Sequence, residues 1–152
     1  MYKPGASREE IMEALRQARC EDILEKLPNG VDSVIGARGV YLSGGEMQRI
    51  ALARAILKDA PIVLLDEATA FADAENEYLI QRALDILLHG KTVLMIAHRL
   101  QTIVHADQII VMQRGGIAEQ GTHEELMQRQ GVYAKMYHEY ENSVSWKIGG
   151  WA

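Results

Sequence analysis

Residues 62–71 read IVLLDEATAF. The run IVLL is continuously apolar, as strands are when both faces of a parallel sheet are covered. Pro61 stands just before it and clears the way for a strand over residues 62–66. Asp66 and Glu67 close the run. Two carboxylates at the carboxyl end of a buried parallel strand stand where open α/β sheets bind ligands. Asp66 can hold a magnesium ion, directly or through its water. Glu67 can orient and deprotonate a water that attacks a phosphate. Taken alone, a strand end with two solvated acids explains the pair as well.

Upstream, residues 42–49 read LSGGEMQR. Ser43 and Glu46 form a capping box at the start of a helix expected over residues 44–57. The cap accounts for Ser43 and Glu46 but gives no reason for Gly44-Gly45. Glycine inside a helix costs up to about 1 kcal/mol against alanine. Two residues without side chains leave backbone N–H groups open to an anion, and the serine hydroxyl adds a donor. Phosphate approach is the better account. Downstream, TVLMIA (residues 92–97) reads as a second buried strand, followed by His98. If the two strands are parallel, His98 emerges at the same sheet edge as Asp66 and Glu67. A histidine there can hydrogen-bond a terminal phosphate oxygen.

A phosphate-cradling loop has the form G-x-x-x-x-G-K-[ST]. The only Gly-Lys-Thr is Gly90-Lys91-Thr92, and the earlier glycine would fall at Asp85. A helix precedes this triplet and a strand follows, the reverse of the order the loop needs. It is a decoy, and the lysine that would bind β- and γ-phosphates is absent.

Around these motifs the chain alternates strands with helices, which gives an α/β layer architecture. Ser7 with Glu10 and Thr122 with Glu125 form two more capping boxes. The first opens a helix to about Ala18 with Ile11, Ala14, Leu15 and Ala18 on one face. A short helix holds Ile23, Leu24 and Leu27 before Pro28-Asn29-Gly30 breaks it. A helix is expected at residues 75–88, a short one at 100–104, and a third strand at 108–112. Gly115-Gly116 reads as a hairpin turn into a strand ending near Gly121. Two helices follow, from Glu124 and Val132, and residues after Asn142 read as a frayed tail. The expected division is a helical subdomain over residues 1–60, an α/β core over 61–142, and a tail over 143–152.

Apolar residues make up 48% and charged residues 24% of the 152, the balance of a globular chain. A net charge of −5 without a basic run argues against a nucleic-acid-binding face. The single Cys20 excludes an internal disulfide framework and a cysteine-rich metal site. The longest apolar runs are far shorter than a membrane-spanning helix, and no basic-then-apolar leader opens the chain. The chain itself is expected to be soluble.

LSGGEMQRIALARAIL, IVLLDEATAFAD and TVLMIAHRL, in that order and spacing, resemble the ATP-binding-cassette (ABC) transporter family. They match its signature motif, its Walker B strand with D-loop, and its H-loop. GTHEELM near the end is typical of the family's exporter-type cassettes. The resemblance implies the C-terminal part of a nucleotide-binding domain: a P-loop NTPase (RecA-like) parallel sheet with helices on both faces, preceded by an all-helical signature subdomain. Walker A, the adenine-stacking loop and the Q-loop, which lie upstream in the family, are missing. It also implies roles. Ser43, Gly44 and Gly45, supported by Gln48, would contact the γ-phosphate of ATP held on an opposing subunit. Asp66 would serve the Mg2+ site, Glu67 would be the general base, and His98 the switch histidine. Asp73 would be the D-loop aspartate coupling two sites.

The implied partners are a second nucleotide-binding domain, with ATP sandwiched between the two, and transmembrane domains upstream or on a separate chain. The implied place is the cytoplasmic face of the inner or plasma membrane. Because the family's sites are composite, the chain alone is expected to be inactive, and loss of flanking strands would leave apolar sheet surface uncovered. Met1-Tyr2-Lys3-Pro4 reads as a loop within a longer frame rather than a natural beginning. Two departures stand out: the D-loop is Ala70-Phe71-Ala72-Asp73 where Ser-Ala-Leu-Asp is usual, and Ala37 stands where glutamate is frequent. The form ATAFAD also resembles a branch linked to iron-siderophore handling. Two other readings stay open. One is the C-terminal lobe of a chromosome-maintenance (SMC-like) ATPase, which would show heptads before the signature. The other is a non-catalytic module that completes a partner's ATP site.

Overall fold

The structure is a computed structural model that describes residues 3–36, 39–66, 74–97 and 99–149. It divides into two compact units, Met1–Ile96 and Ala97–Ala152.

In the first unit, α1 (Arg8–Gln17), α2 (Glu21–Lys26) and α3 (Gly44–Lys58) precede a β1–α4–β2 unit of Ile62–Asp66, Ala74–Leu88 and Thr92–Ile96. Ser7 caps α1 with both arms of its box closed: Ser7 Oγ accepts from Glu10 N–H at 3.2 Å, and Glu10 Oε2 accepts from Ser7 N–H at 2.8 Å. α3 ends at Asp59, whose left-handed backbone (φ 49°) stops the helix and whose carboxylate takes Lys91 at 2.9 Å. The decoy triplet thus stands between the end of α4 and the start of β2, with Lys91 engaged in this ion pair.

β1 and β2 pair in parallel, Ile62 opposite Thr92 through Asp66 opposite Ile96, with α4 as the crossover. One side of the pair is covered: Val63 and Leu65 pack on a core that includes Leu15, Ile23, Leu42, Ile50, Leu52, Ile80, Leu84 and Leu87. The other side is open, with Ile62, Leu64, Leu94 and Ile96 exposed at 61%, 71%, 57% and 59%. A strand pattern built for two covered faces therefore has one covered among the described residues. An open apolar face of this kind marks an interaction surface. The chain is expected to self-associate, its sedimentation coefficient rising with concentration. Leu64→Glu combined with Leu94→Lys, which charges a directly paired position, is expected to abolish the rise. A wild-type chain that sediments as a monomer at every concentration would contradict this.

In the second unit, β3 (Ile109–Gln113) and β4 (Gly116–Gly121) form an antiparallel hairpin with a bulge between Val111 and Met112. The turn falls one residue earlier than the Gly-Gly pair suggests. Arg114 (φ 50°) and Gly115 (φ 79°) both take the left-handed conformation that a two-residue hairpin turn requires, and Gly116 begins β4. α5 (His123–Arg129) carries the third closed capping box, from Thr122. α6 (Val132–Gly149) continues through the stretch read from sequence as a frayed tail. Its start is capped from β4: the Glu119 carboxylate accepts from Val132 and Tyr133 N–H, each at 2.9 Å. These two donors hold the Glu119 carboxyl below the usual glutamate range. The unit's core is Ile109, Val111, Leu126 and Tyr133.

Candidate nucleotide-facing site

α3 begins at a loop-to-helix junction whose first residues are the Ser-Gly-Gly triplet. Ser43 has extended backbone (φ −63°, ψ 163°), so its side chain folds back over the first turn. Ser43 Oγ accepts from Glu46 N–H at 3.2 Å, and Glu46 Oε2 accepts from Ser43 N–H at 2.8 Å. Met47 N–H donates to the Ser43 carbonyl at 2.9 Å. That leaves a defined set of open donors. The Gly44 and Gly45 N–H groups, first in the helix, have no acceptor among the described residues. The Ser43 hydroxyl accepts one bond and keeps its proton to donate. Ser43 and Gly44 are exposed, Gln48 is half-buried, and the positive end of the α3 dipole lies behind them. An anion with several oxygens fits this arrangement.

Gly45 is different. It is buried, and a Cβ placed on it would lie 2.7 Å from Asn76 Cγ and 2.9 Å from Asn76 Cβ. Close packing of α4 against α3 supplies a second reason for this glycine, one that phosphate approach alone does not provide.

Asp66 ends β1 with its carboxylate exposed, beside the end of β2. The parallel register confirms that both strands finish at one edge. An exposed carboxylate at that edge fits a hard divalent cation. Glu67 and Asp73, like His98 after β2, lie outside the described residues. No group of three or more candidate metal ligands occurs among the described residues.

Two residues that sequence reading passed over lie behind the site. Arg49 is 2% exposed, and its guanidinium grips Asp22 through two bonds of 2.7 and 2.8 Å and donates a third to the Arg19 carbonyl. Arg19 itself is left-handed (φ 57°), so this bond ties down the turn between α1 and α2. The Arg49 guanidinium holds the Asp22 carboxyl below its ordinary range, and Asp22 raises Arg49 in return. Cys20, buried beside them, has its thiol pushed up to about 12 by burial and stays neutral. A signal for Arg49 was present: it falls on the α3 face that buries Gly45, Leu52 and Ala53, where a cation requires a carboxylate. Asn76 had none, because its contact with Gly45 joins residues 31 positions apart in the chain.

A sequence profile of the ABC transporter family matches residues 3–70. The chain is 55% identical over 132 residues to an ATP-dependent lipid A-core flippase of Legionella pneumophila, covering 87% of the chain and 22% of the relative. It is 54% identical over 134 residues to the mycobactin import ATP-binding/permease protein IrtA of Mycolicibacterium smegmatis, covering 88% of the chain and 16% of the relative. The chain therefore spans about a fifth of the length of these curated relatives. A bacterial Atm1-family ABC exporter, solved with ATP bound, superposes with a TM-score of 0.75 at 43% identity, over 90% of this chain and 24% of that one.

Proposed function

We infer that this chain, which belongs to the ABC transporter family, supplies the signature face that closes on ATP held by a second nucleotide-binding domain. The observation that carries this reading is the start of α3: the Gly44 and Gly45 N–H groups have no acceptor among the described residues, and the exposed Ser43 hydroxyl keeps a proton to donate. Ser43, Gly44 and Gly45 would bind the γ-phosphate across the interface, with Gln48 in support. In the other direction, Asp66 would hold Mg2+ and Glu67 would take the proton of the attacking water. His98 would contact the terminal phosphate, and Asp73 would couple the two sites. The bound cation would offset phosphate charge. The donors of α3 would hold the phosphate in place, which is the larger part of phosphoryl-transfer catalysis.

By role, residues 1–60 would be the signature-bearing helical part and 61–142 the part of the ATPase core, with 143–152 a C-terminal extension that α6 enters as far as Gly149. This division crosses the packing, because α1, α2 and α3 share one core with α4 and β1. Transmembrane domains would be the coupled partners, and the site of action the cytoplasmic face of the inner or plasma membrane. No helix among the described residues is long and apolar enough to cross a membrane.

The test is complementation. A related exporter's nucleotide-binding domain with a disabled signature serine retains its own ATP-binding loop but turns over slowly. Adding this chain is expected to restore hydrolysis, by about 100-fold for a lost set of preorganised donors. Chain carrying Gly44→Asp, which puts a like charge at the phosphate, is expected to restore none. No restoration by the wild-type chain would overturn the reading.

A further inference from the structure

Glu46 does more than complete a cap. Its Oε2 accepts from Ser43 N–H at 2.8 Å, while its Oε1 accepts from Lys26 Nζ, also at 2.8 Å. Lys26 belongs to α2, twenty residues away, so the carboxylate joins two helices. The α1 box looks similar, since Glu10 takes Lys3 at 2.7 Å. There, however, the cation comes from seven residues away and Glu10 is half exposed. The Glu46 side chain is only 14% exposed. One turn earlier on α2, Asp22 holds Arg49, one turn further along α3. Positions four apart on α2 and three apart on α3 share a face on each helix. The two helices thus meet through a pair of opposed ion pairs, Asp22–Arg49 and Lys26–Glu46.

α2 has six residues, too few to hold its shape without packing. Ile23, fully buried, anchors it from below and the two ion pairs anchor it from the side. Whatever fixes α2 therefore fixes the carboxylate that fixes Ser43.

We propose that Lys26 is a positioning residue for the nucleotide-facing end of α3, acting through Glu46 on Ser43, with Asp22 and Arg49 holding the two helices in register. The proposal rests on the phosphate-facing reading of Ser43. It goes beyond that reading by placing control of the signature serine on a different helix.

The electrostatics agree. The Glu46 carboxyl is held below the usual glutamate range, first by its bond from Lys26 and then by the Ser43 N–H. Charged groups around the clamp are Lys26 and Asp22 from α2 and Arg49 from α3. A carboxyl depressed on folding contributes above its unfolded pKa and is lost as pH falls through its folded pKa. The clamp is therefore closed at neutral pH and opens in acid.

The experiment follows the Ser43 amide of the 15N-labelled 152-residue chain through an acid titration. In wild type it should shift with a midpoint below that of an ordinary glutamate. Lys26→Met should raise the midpoint toward that of an ordinary glutamate, because the first of the interactions that depress it is lost. Lys26→Arg should restore it. Glu46→Gln should leave the Ser43 and Gly44 resonances near their acid-limit positions at every pH. Resonances of α4 and β2 report that each variant is folded. A simple surface pair would leave Ser43 and Gly44 unmoved in Lys26→Met, and that result overturns the proposal. In the complementation assay, Lys26→Met should raise the chain concentration needed for half-maximal rescue about fivefold, as loss of one charge-assisted contact would. Lys26→Arg should bring it back. An unchanged half-maximal concentration counts against the proposal. If wild type gives no rescue, the phosphate-facing reading falls, and the titration still decides the clamp.

Discussion

Asp22→Ala is expected to cost about 3 kcal/mol of stability, while Arg49→Met costs about 1 kcal/mol or less. The asymmetry follows from burial. Arg49 is 2% exposed, so removing Asp22 leaves a guanidinium in the core with only the Arg19 carbonyl for a partner. Breaking a buried pair in this way costs roughly 3 to 5 kcal/mol, and the lower end applies because the Asp22 side chain is 49% exposed and water can enter its place. Removing Arg49 instead frees a carboxylate that is already half in water, and methionine fills much the same volume. The remaining loss is the bond to Arg19. Urea unfolding with an unchanged slope measures both costs. Equal costs would show that the pair is a surface interaction after all. Acid should reproduce part of the Asp22→Ala effect. Because the Asp22 pKa is depressed on folding, its stabilisation is full above the ordinary aspartate value and is lost as pH falls through the depressed one.

Gly44 and Gly45 are expected to respond differently to alanine. Gly45→Ala places a methyl 2.7 Å from Asn76 Cγ, and overpacking of this kind costs about 1 to 3 kcal/mol. Helix propensity returns at most about 1 kcal/mol, so a net loss is expected. Asn76→Ala should recover part of it, giving a non-additive double mutant. It should not recover all, because the Asn76 Cβ would remain 2.9 Å from the new methyl. Gly44 is exposed, and Gly44→Ala should leave thermal unfolding nearly unchanged while weakening rescue in the complementation assay. Thermal scans of the four variants, with rescue measured in parallel, separate a packing glycine from a ligand-facing one. Equal stability losses at Gly44 and Gly45 would contradict this division.

Much of this architecture was legible in the sequence because its signals are local. Three capping boxes mark three helix starts, and all three close as both arms predict. Apolar runs at residues 62–65 and 92–97 place two strands, and their parallel pairing through α4 follows from chain order and handedness. What stayed hidden depends on contacts between distant segments. The reason for Gly45 lies in Asn76, 31 positions on, and the reason for a buried Arg49 lies in Asp22 on another helix. The open face of β1 was expected only through the family resemblance, because the apolar pattern by itself records no more than that both faces are apolar. The hairpin turn moved by one residue because Arg114 adopts a left-handed conformation that glycine usually takes.

At nearly the same identity and coverage, the chain matches a lipid A-core flippase and a mycobactin importer. Proteins named for such different cargoes share this segment, so similarity over it does not select between those cargoes.

The central claim is that α3 presents a γ-phosphate-binding face to a partner's nucleotide. Its most direct test is the mass, by light scattering, of this chain mixed with a related nucleotide-binding domain whose general base has been replaced to stop turnover. With ATP and Mg2+ the account predicts a one-to-one complex. With ADP, which lacks the phosphate that the Ser43 and Gly44 donors would hold, it predicts separate components. A complex of equal strength with either nucleotide, or with none, would contradict it.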